Sequence, residues 1–413
     1  MGSEIRFKLC EQDQGQLFPA YVAEALDPSD PVFFLDDLVE GLDLSALEAR
    51  YAAMGEHAYP PRMLLKLWLF GAIVGVYSGR EMARRVLWDL RFRYLAGGLR
   101  PDFRTINRFR VRHGEDFAEI LRETVHVAQR SGLAKLGRLT IDGSKIRANT
   151  SRHKAMSHGR MVETEERLDD EIAQILAQID ERNAAEDEEH GDDDGSGGLP
   201  QELCNREHRR AKIRAVREQL EAEKGEKLEA KNQKSFADPD ANMMKTGEGS
   251  LQYCYNAQIA ASEDGIIVAT GLTTSPNDQS EVVPMLEAVK QNTGRRPGTL
   301  LADTGYLSEE NLKALSRKRQ RALIAVGREG KRPTKWPRGP YSQRMHRILR
   351  LPWARELYRH RKTQGERPFA EIKQTQKFRG FALRGAAKVR GEWDLVCAAA
   401  NVLTLHRAFA QTQ

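Results

Sequence analysis

Apolar residues recur along the chain in blocks whose period changes. Between about residues 15 and 54, short clusters (Val32-Phe33-Phe34-Leu35, Leu38-Val39, Leu44, Leu47) alternate with acids and predict small helices packed on the next unit of the chain. Met63-Leu64-Leu65-Lys66-Leu67-Trp68-Leu69-Phe70, entered through Pro60-Pro61, begins a helix that is apolar almost all round, the mark of a central buried element. Past Ser78-Gly79 the spacing predicts one helix over 80–95. After Gly97-Gly98 comes a short helix capped by Asp102, with Ile106 and Phe109 facing inward and Arg104, Arg108, Arg110 and Arg112 outward. A longer helix over 117–130 closes this module at Ser131-Gly132.

The period then shortens. Leu139-Thr140-Ile141 runs into Asp142-Gly143-Ser144-Lys145, predicting a buried strand with Asp142 at its exposed C-terminal tip. Thr299-Leu300-Leu301-Ala302 repeats the design into Asp303. Between them, 161–182 and 201–231 read as a helical hairpin whose acidic, glycine-rich tip, 186–198, buries nothing. A strand hairpin over 251–260 and 266–272 turns at Glu263-Asp264-Gly265, and Asn277-Asp278 caps a helix over 280–290. A helix over 309–317 and a strand over 322–326 come after Asp303. Strand, helical insert, hairpin, helix, strand, helix, strand is the order of a mixed sheet flanked by helices, in the α+β to α/β range.

A chain of 413 residues exceeds one small core and calls for two or three modules. Its formal net charge of +6 hides a segregation: 160–234 holds 13 Lys and Arg against 22 acids, whereas 290–413 holds 28 against 9. The C-terminal part therefore presents a field suited to a polyanion. A short helix, a turn and an arginine-rich helix at 102–113 is the pattern of a helix-turn-helix reader of DNA, set against a bundle with a charged surface. Arg147, Arg152, His153, Lys154 and Arg160 form a further basic tract, read either as phosphate contacts or as a linker. The four cysteines have no paired spacing, which argues against a zinc knuckle or a disulfide framework and fits a reducing compartment. The first residues lack the apolar core of a signal peptide, and no run is long enough to span a bilayer; an intracellular protein is expected.

Two aspartates at the ends of strands repel unless a cation sits between them, and a hard divalent metal is the natural one. A third carboxylate is needed from 327–413, where only Glu329, Glu356, Glu366, Glu371, Glu392 and Asp394 are available. Glu366 is favoured: it opens a predicted helix, and Lys373, seven residues on, shares its face. A carboxylate for metal and an ammonium for phosphate on one side of a helix suit phosphoryl transfer. Glu371 is the rival, Glu366 in a capping box with Thr363 the bland alternative, and turn or cap aspartates the bland reading of Asp142 and Asp303. Trp336, among the cations of 331–338, is a candidate for stacking on an unpaired base or for the core.

These pieces in fixed order resemble the DDE transposases of bacterial insertion sequences, in the group with a long insertion after the first aspartate. The resemblance runs through Thr105-Ile106-Asn107-Arg108-Phe109-Arg110, Ile141-Asp142-Gly143-Ser144-Lys145, Asp238-Pro239-Asp240-Ala241, Met244-Lys245-Thr246-Gly247, Tyr255-Asn256-Ala257-Gln258, Ala302-Asp303-Thr304-Gly305-Tyr306 and the stretch from Phe378-Arg379 to Glu392-Trp393. It implies a ribonuclease-H-like core with Asp142, Asp303 and Glu366 as metal ligands and catalytic acids, and Lys373 as the lysine of the glutamate signature. It implies two Mg²⁺ ions, replaceable by Mn²⁺, about 4 Å apart, one activating a water or 3′-hydroxyl and the other stabilising the leaving oxygen. Double-stranded DNA, as transposon terminal inverted repeats and target, is the implied partner, met by a cytoplasmic bacterial homodimer. Arg104, Arg108, Arg110, Arg112, Lys145, Arg361, Lys362 and Trp336 are the expected DNA contacts. Relatives carry a tyrosine seven and an arginine four residues before the glutamate; here Arg359 and Lys362 stand there, with Tyr358 and Arg361 one residue earlier. The expected organisation is a DNA-binding helical module at 1–132, a catalytic domain at 133–160 and 235–413, and an inserted hairpin at 161–234. A DNA-binding protein without catalysis, or a nuclease that does not join, are the competing readings.

Overall fold

A computed structural model describes residues 21–51, 58–151, 155–190, 201–247, 249–327 and 339–411. Trp336 and the tract Arg152, His153, Lys154 lie outside the described residues.

The N-terminal region is helical: α1 (Pro31–Glu40), α2 (Ser45–Glu48), α3 (Pro61–Ile73), α4 (Gly79–Trp88), α5 (Leu90–Leu95), α6 (Phe103–Arg112) and α7 (Phe117–Arg130). From Met63 to Ile73 every residue of α3 is buried, as its unbroken apolar run requires. The single helix expected over 80–95 is two. Asp89 is extended and accepts from the Arg91 amide at 3.1 Å, so it ends α4 and caps α5. Asp102 caps α6, and Ile106 and Phe109 are buried as their spacing predicts. Arg110, expected outside, is inside: only 6% exposed, it lies over the Trp68 ring at 4.3 Å and pairs with Glu392 at 3.2 Å.

The sheet comes next: β1 (Arg138–Arg147), then β2 (Ala155–Ser157), α8 (His158–His190) and α9 (Gln201–Lys224), then β3 (Gln233–Ser235), β4 (Asn242–Lys245), β5 (Leu251–Ser262), β6 (Ile267–Thr273), α10 (Val282–Thr293), β7 (Thr299–Ala302), α11 (Glu309–Arg317) and β8 (Ala322–Ile324). Its order is β4-β5-β1-β7-β8, with β6 also paired to β5. β7 is parallel to β1 and β8, while β5 is antiparallel to β1, β4 and β6. Tyr253 to Ser262 are all buried, so helices cover both faces of the sheet. Helix α8 continues through 186–190, which its acidity had assigned to the tip. The α8–α9 pair keeps its own small core of Met161, Leu168, Ile213 and Val216, separate from the main one.

Helices α12 (Pro340–Ile348), α13 (Pro352–Ala370) and α14 (Ala386–Ala410) complete the described chain. Helix α14 is the spine. It packs on α3, α7 and β6, and its Trp393 indole donates to the Gln258 carbonyl at 3.0 Å, so the N-terminal helices and the sheet share one continuous core. Among the described residues no helix is long and apolar enough to cross a membrane.

Candidate active site

Asp142 is not at a strand tip. It sits in the middle of β1, opposite Ile259 of β5, but on the other edge the pairing with β7 ends at Thr140–Leu301. β7 stops at Ala302, so both Asp142 and Asp303 lie where the parallel pairing gives out. Helix α13 closes over that place. Tyr358 donates its hydroxyl to the Ala302 carbonyl at 3.1 Å, and Thr140 donates to the Gln364 side chain at 3.1 Å. Next to Gln364, Gly365 abuts Asp142 so closely that a Cβ there would stand 3.1 Å from Oδ2. The adjoining residue, Glu366, is exposed at the rim. Glu366 therefore belongs to the C-terminal third of a long helix, not to a helix start, and the capping-box reading with Thr363 fails.

Glu371, the rival acid, is bonded to Arg407 of α14 at 2.7 and 3.1 Å. It sits in a π-helical turn, 371–375, that continues from α13 and redirects Lys373, whose ammonium donates to Ser144 at 2.6 Å. Lys373 thus reaches β1 two residues past Asp142. Arg361 is buried within α13, 5.9 Å over the Tyr358 ring, and its charge acts on Asp142; it is not an exposed DNA contact. Lys362 is exposed.

The electrostatics are a consequence of this packing. Burial is the largest cause that pushes the Asp142 carboxyl up to about 6. The Gly143 amide, donating at 3.0 Å, opposes it; the negative charges of Asp303 and Glu366 add to it, and Arg361 subtracts. Asp303 accepts from the Gly305 amide at 2.8 Å and so also caps its turn, in keeping with the bland reading. The fully buried Tyr306 hydroxyl is pushed far up, first by burial and then by Asp278, Asp142 and Asp303. Among the described residues no group of three or more His, Cys, Asp or Glu is spaced to hold a metal ion. The three acids share one electrostatic neighbourhood without being drawn together. All three would offer carboxylate oxygens, the donor type that a hard divalent cation takes.

Beside the acids runs a cationic cleft of about 540 Å³, lined by Lys145, Arg147, Lys373 and Arg379 together with Thr246 and Gly247. Arg147 also lines a second cleft of about 340 Å³, which adds Arg384. On α6, Arg104, Arg108 and Arg112 are exposed.

Comparison with protein families places this geometry. Residues 21–112 match the model described as Transposase domain (DUF772), and residues 213–402 match that of the Transposase DDE domain. The chain belongs to the DDE transposases of insertion sequences. Neither the curated proteins nor the solved structures give a match. This transposase is therefore an enzyme of DNA cleavage and transposition, from a family that depends on a divalent metal. Its mixed sheet behind an N-terminal helical region agrees with the ribonuclease-H-like DDE fold.

Beside the Asp303 turn stands a further carboxylate whose partners the sequence does not reveal. Asp278, read as a helix cap, accepts on Oδ1 from Lys145 at 2.9 Å, Asn256 at 2.6 Å and Gln258 at 2.9 Å. Tyr306 donates to Gln258 in turn. A detectable sign was present: Asn256 and Gln258 put two amides on one face of a strand whose other residues from Tyr253 to Ala261 are apolar or aromatic, and buried amides need partners.

Proposed function

We propose that the chain cleaves the DNA ends of its insertion sequence and joins them to target DNA by in-line phosphoryl transfer. In this reading Asp142, Asp303 and Glu366 hold two divalent ions, Mg²⁺ with Mn²⁺ as substitute. Bound there, such ions would supply Lewis-acid activation of a water or 3′-hydroxyl and neutralise the leaving oxygen.

The protein's own work is positioning. Asp142 lies on β1 and Asp303 directly follows its parallel neighbour β7, which fixes their carrier segments. Glu366, on the exposed rim of α13, has the freedom to turn inward when positive charge arrives. Lys373, tethered by Ser144, offers an ammonium to the phosphate beside the acids. The cleft of Lys145, Arg147, Arg379 and Arg384 leads a strand away from the site by phosphate contacts that carry no sequence information. Arg104, Arg108 and Arg112 on α6, among the N-terminal helices, meet the duplex. Lys362 adds a cation near the cut. Two ends must be held at once, so the working species is a homodimer.

The observation that carries this reading is that Gly365 of α13 packs against the Asp142 side chain while β7, which ends next to Asp303, pairs with β1, bringing three acids 161 and 63 residues apart in sequence into one neighbourhood. The test is a donor-end cleavage and strand-transfer assay in Mg²⁺. The parent should nick and join, and Asp303→Ala should bind the end but do neither. Nicking without joining in the parent would favour a simple nuclease, and cleavage by Asp303→Ala equal to the parent would remove the acid site altogether.

A further inference from the structure

Asp278 stands at the head of the turn 279–281 that leads into α10, where an aspartate ordinarily caps by accepting from an amide two or three residues on. Its side chain makes no such bond. Oδ1 is given instead to three donors on two strands: the Lys145 ammonium of β1 and the Asn256 and Gln258 amides of β5. Asn256 and Gln258 are fully buried, and the Gln258 amide also donates to Asn256 at 2.9 Å. Gln258 is the cross-strand neighbour of Gly143 and lies so close to it that a Cβ at 143 would displace the Gln258 amide. The same Gln258 accepts the Tyr306 hydroxyl. On its other side, Asp278 faces the Asp303 turn: a Cβ on Gly305 would stand 3.1 Å from Asp278 Oδ2 and 3.0 Å from Asp303 Oδ1.

A single chain of hydrogen bonds, Lys145 to Asp278 to Gln258 to Tyr306, thus joins a residue three after Asp142 to a residue three after Asp303. We propose that Asp278 is a positioning residue which, through this chain, sets the distance between the middle of β1 and the end of β7, the segments that carry the carboxylates, and keeps the Lys145 ammonium away from Asp142. This inference rests on the proposed role of Asp142 and Asp303. Two features favour it over a purely structural role. The aspartate forgoes its local cap for partners 20 or more residues away in β5 and more than 130 away in β1, and its second oxygen is left facing Asp303. Hydrogen bonds from groups behind a metal site are also the means by which its ligands are held in place.

The test uses the full chain with Asp278→Ala, Tyr306→Phe and the double variant. For Asp278→Ala, cleavage of a donor end should fall roughly 10–100-fold and Mn²⁺ affinity, read by calorimetry, should weaken by about tenfold. Affinity for the DNA end without metal should stay near the parent, while the melting temperature should fall because the buried Asn256 and Gln258 amides lose an acceptor. Tyr306→Phe removes only the far hydroxyl and should act in the same direction. The double variant should be no worse than Asp278→Ala, because one chain is broken once. If Asp278→Ala does not fold, Tyr306→Phe carries the test with the same two readouts. Parent-like cleavage and Mn²⁺ affinity in Asp278→Ala, or penalties that multiply in the double variant, overturn the proposal. Asp303→Ala in parallel separates the outcomes: if it is inactive while Asp278→Ala matches the parent, only this inference falls.

Discussion

Gly365 of α13 lies against the side chain of Asp142, with a Cβ at 365 standing 3.1 Å from Oδ2 and 3.2 Å from the Asp142 Cβ. A glycine inside a helix costs about 1 kcal/mol relative to alanine, so its presence there answers to the neighbour. Gly365→Ala should leave stability within about 1 kcal/mol of the parent, the gain in helix preference offsetting the crowding. Cleavage should nevertheless drop by roughly tenfold or more, because the methyl displaces Asp142 by a few tenths of an ångström. Urea melts beside single-turnover cleavage check this, and unchanged cleavage would show that Asp142 has room to spare.

The Asp142 carboxyl titrates at about 6 in place of 3.8. Between those values the folded chain holds a proton that the unfolded chain has released, so stability falls as pH rises through that window and stays reduced above it. Asp142→Asn removes the charge and with it this loss. In EDTA, the stability gap of the variant over the parent should widen from about pH 4 to about pH 8 by on the order of 2 kcal/mol. Denaturant melts at the two pH values measure it; a gap independent of pH would mean that Asp142 titrates as an ordinary surface acid.

Two arginines two positions apart on α6 should fail in different ways. Arg108 is exposed, whereas Arg110 is enclosed with Glu392, and burial depresses the guanidinium and raises the carboxyl. Arg110→Ala leaves Glu392 uncompensated and should destabilise the fold by about 3–5 kcal/mol. Arg108→Ala should leave the melt unchanged and reduce the salt dependence of DNA binding by about one counterion. Melting curves and salt-titrated binding distinguish them, and an Arg110→Ala protein as stable as the parent would contradict the buried pair.

The two strands that carry the aspartates could be read before the fold was known, because apolar runs such as those leading to Asp142 and Asp303 have few uses other than buried strands. What could not be read was set by partners far away in the chain. β1 continues past Asp142 because β5 pairs with it as far as Arg147. Pro368, of a type that ordinarily marks a helix boundary, lies inside α13, just before the π turn at 371–375. Arg110 has the spacing of its exposed neighbours but meets Trp68 and a glutamate 282 residues away. Asn277-Asp278 before a helix reads as a cap on local grounds, and only the folded sheet brings Lys145, Asn256 and Gln258 to its carboxylate.

The central claim is that acids from β1, the end of β7 and α13 grip the same metal. A structure of the chain with Mn²⁺ and a donor DNA end, located by anomalous scattering, tests it most directly. Metal density within about 2.2 Å of carboxylate oxygens of Asp142, Asp303 and an inturned Glu366 is the predicted result. Metal bound elsewhere, or held with Glu366 still facing solvent, would contradict it.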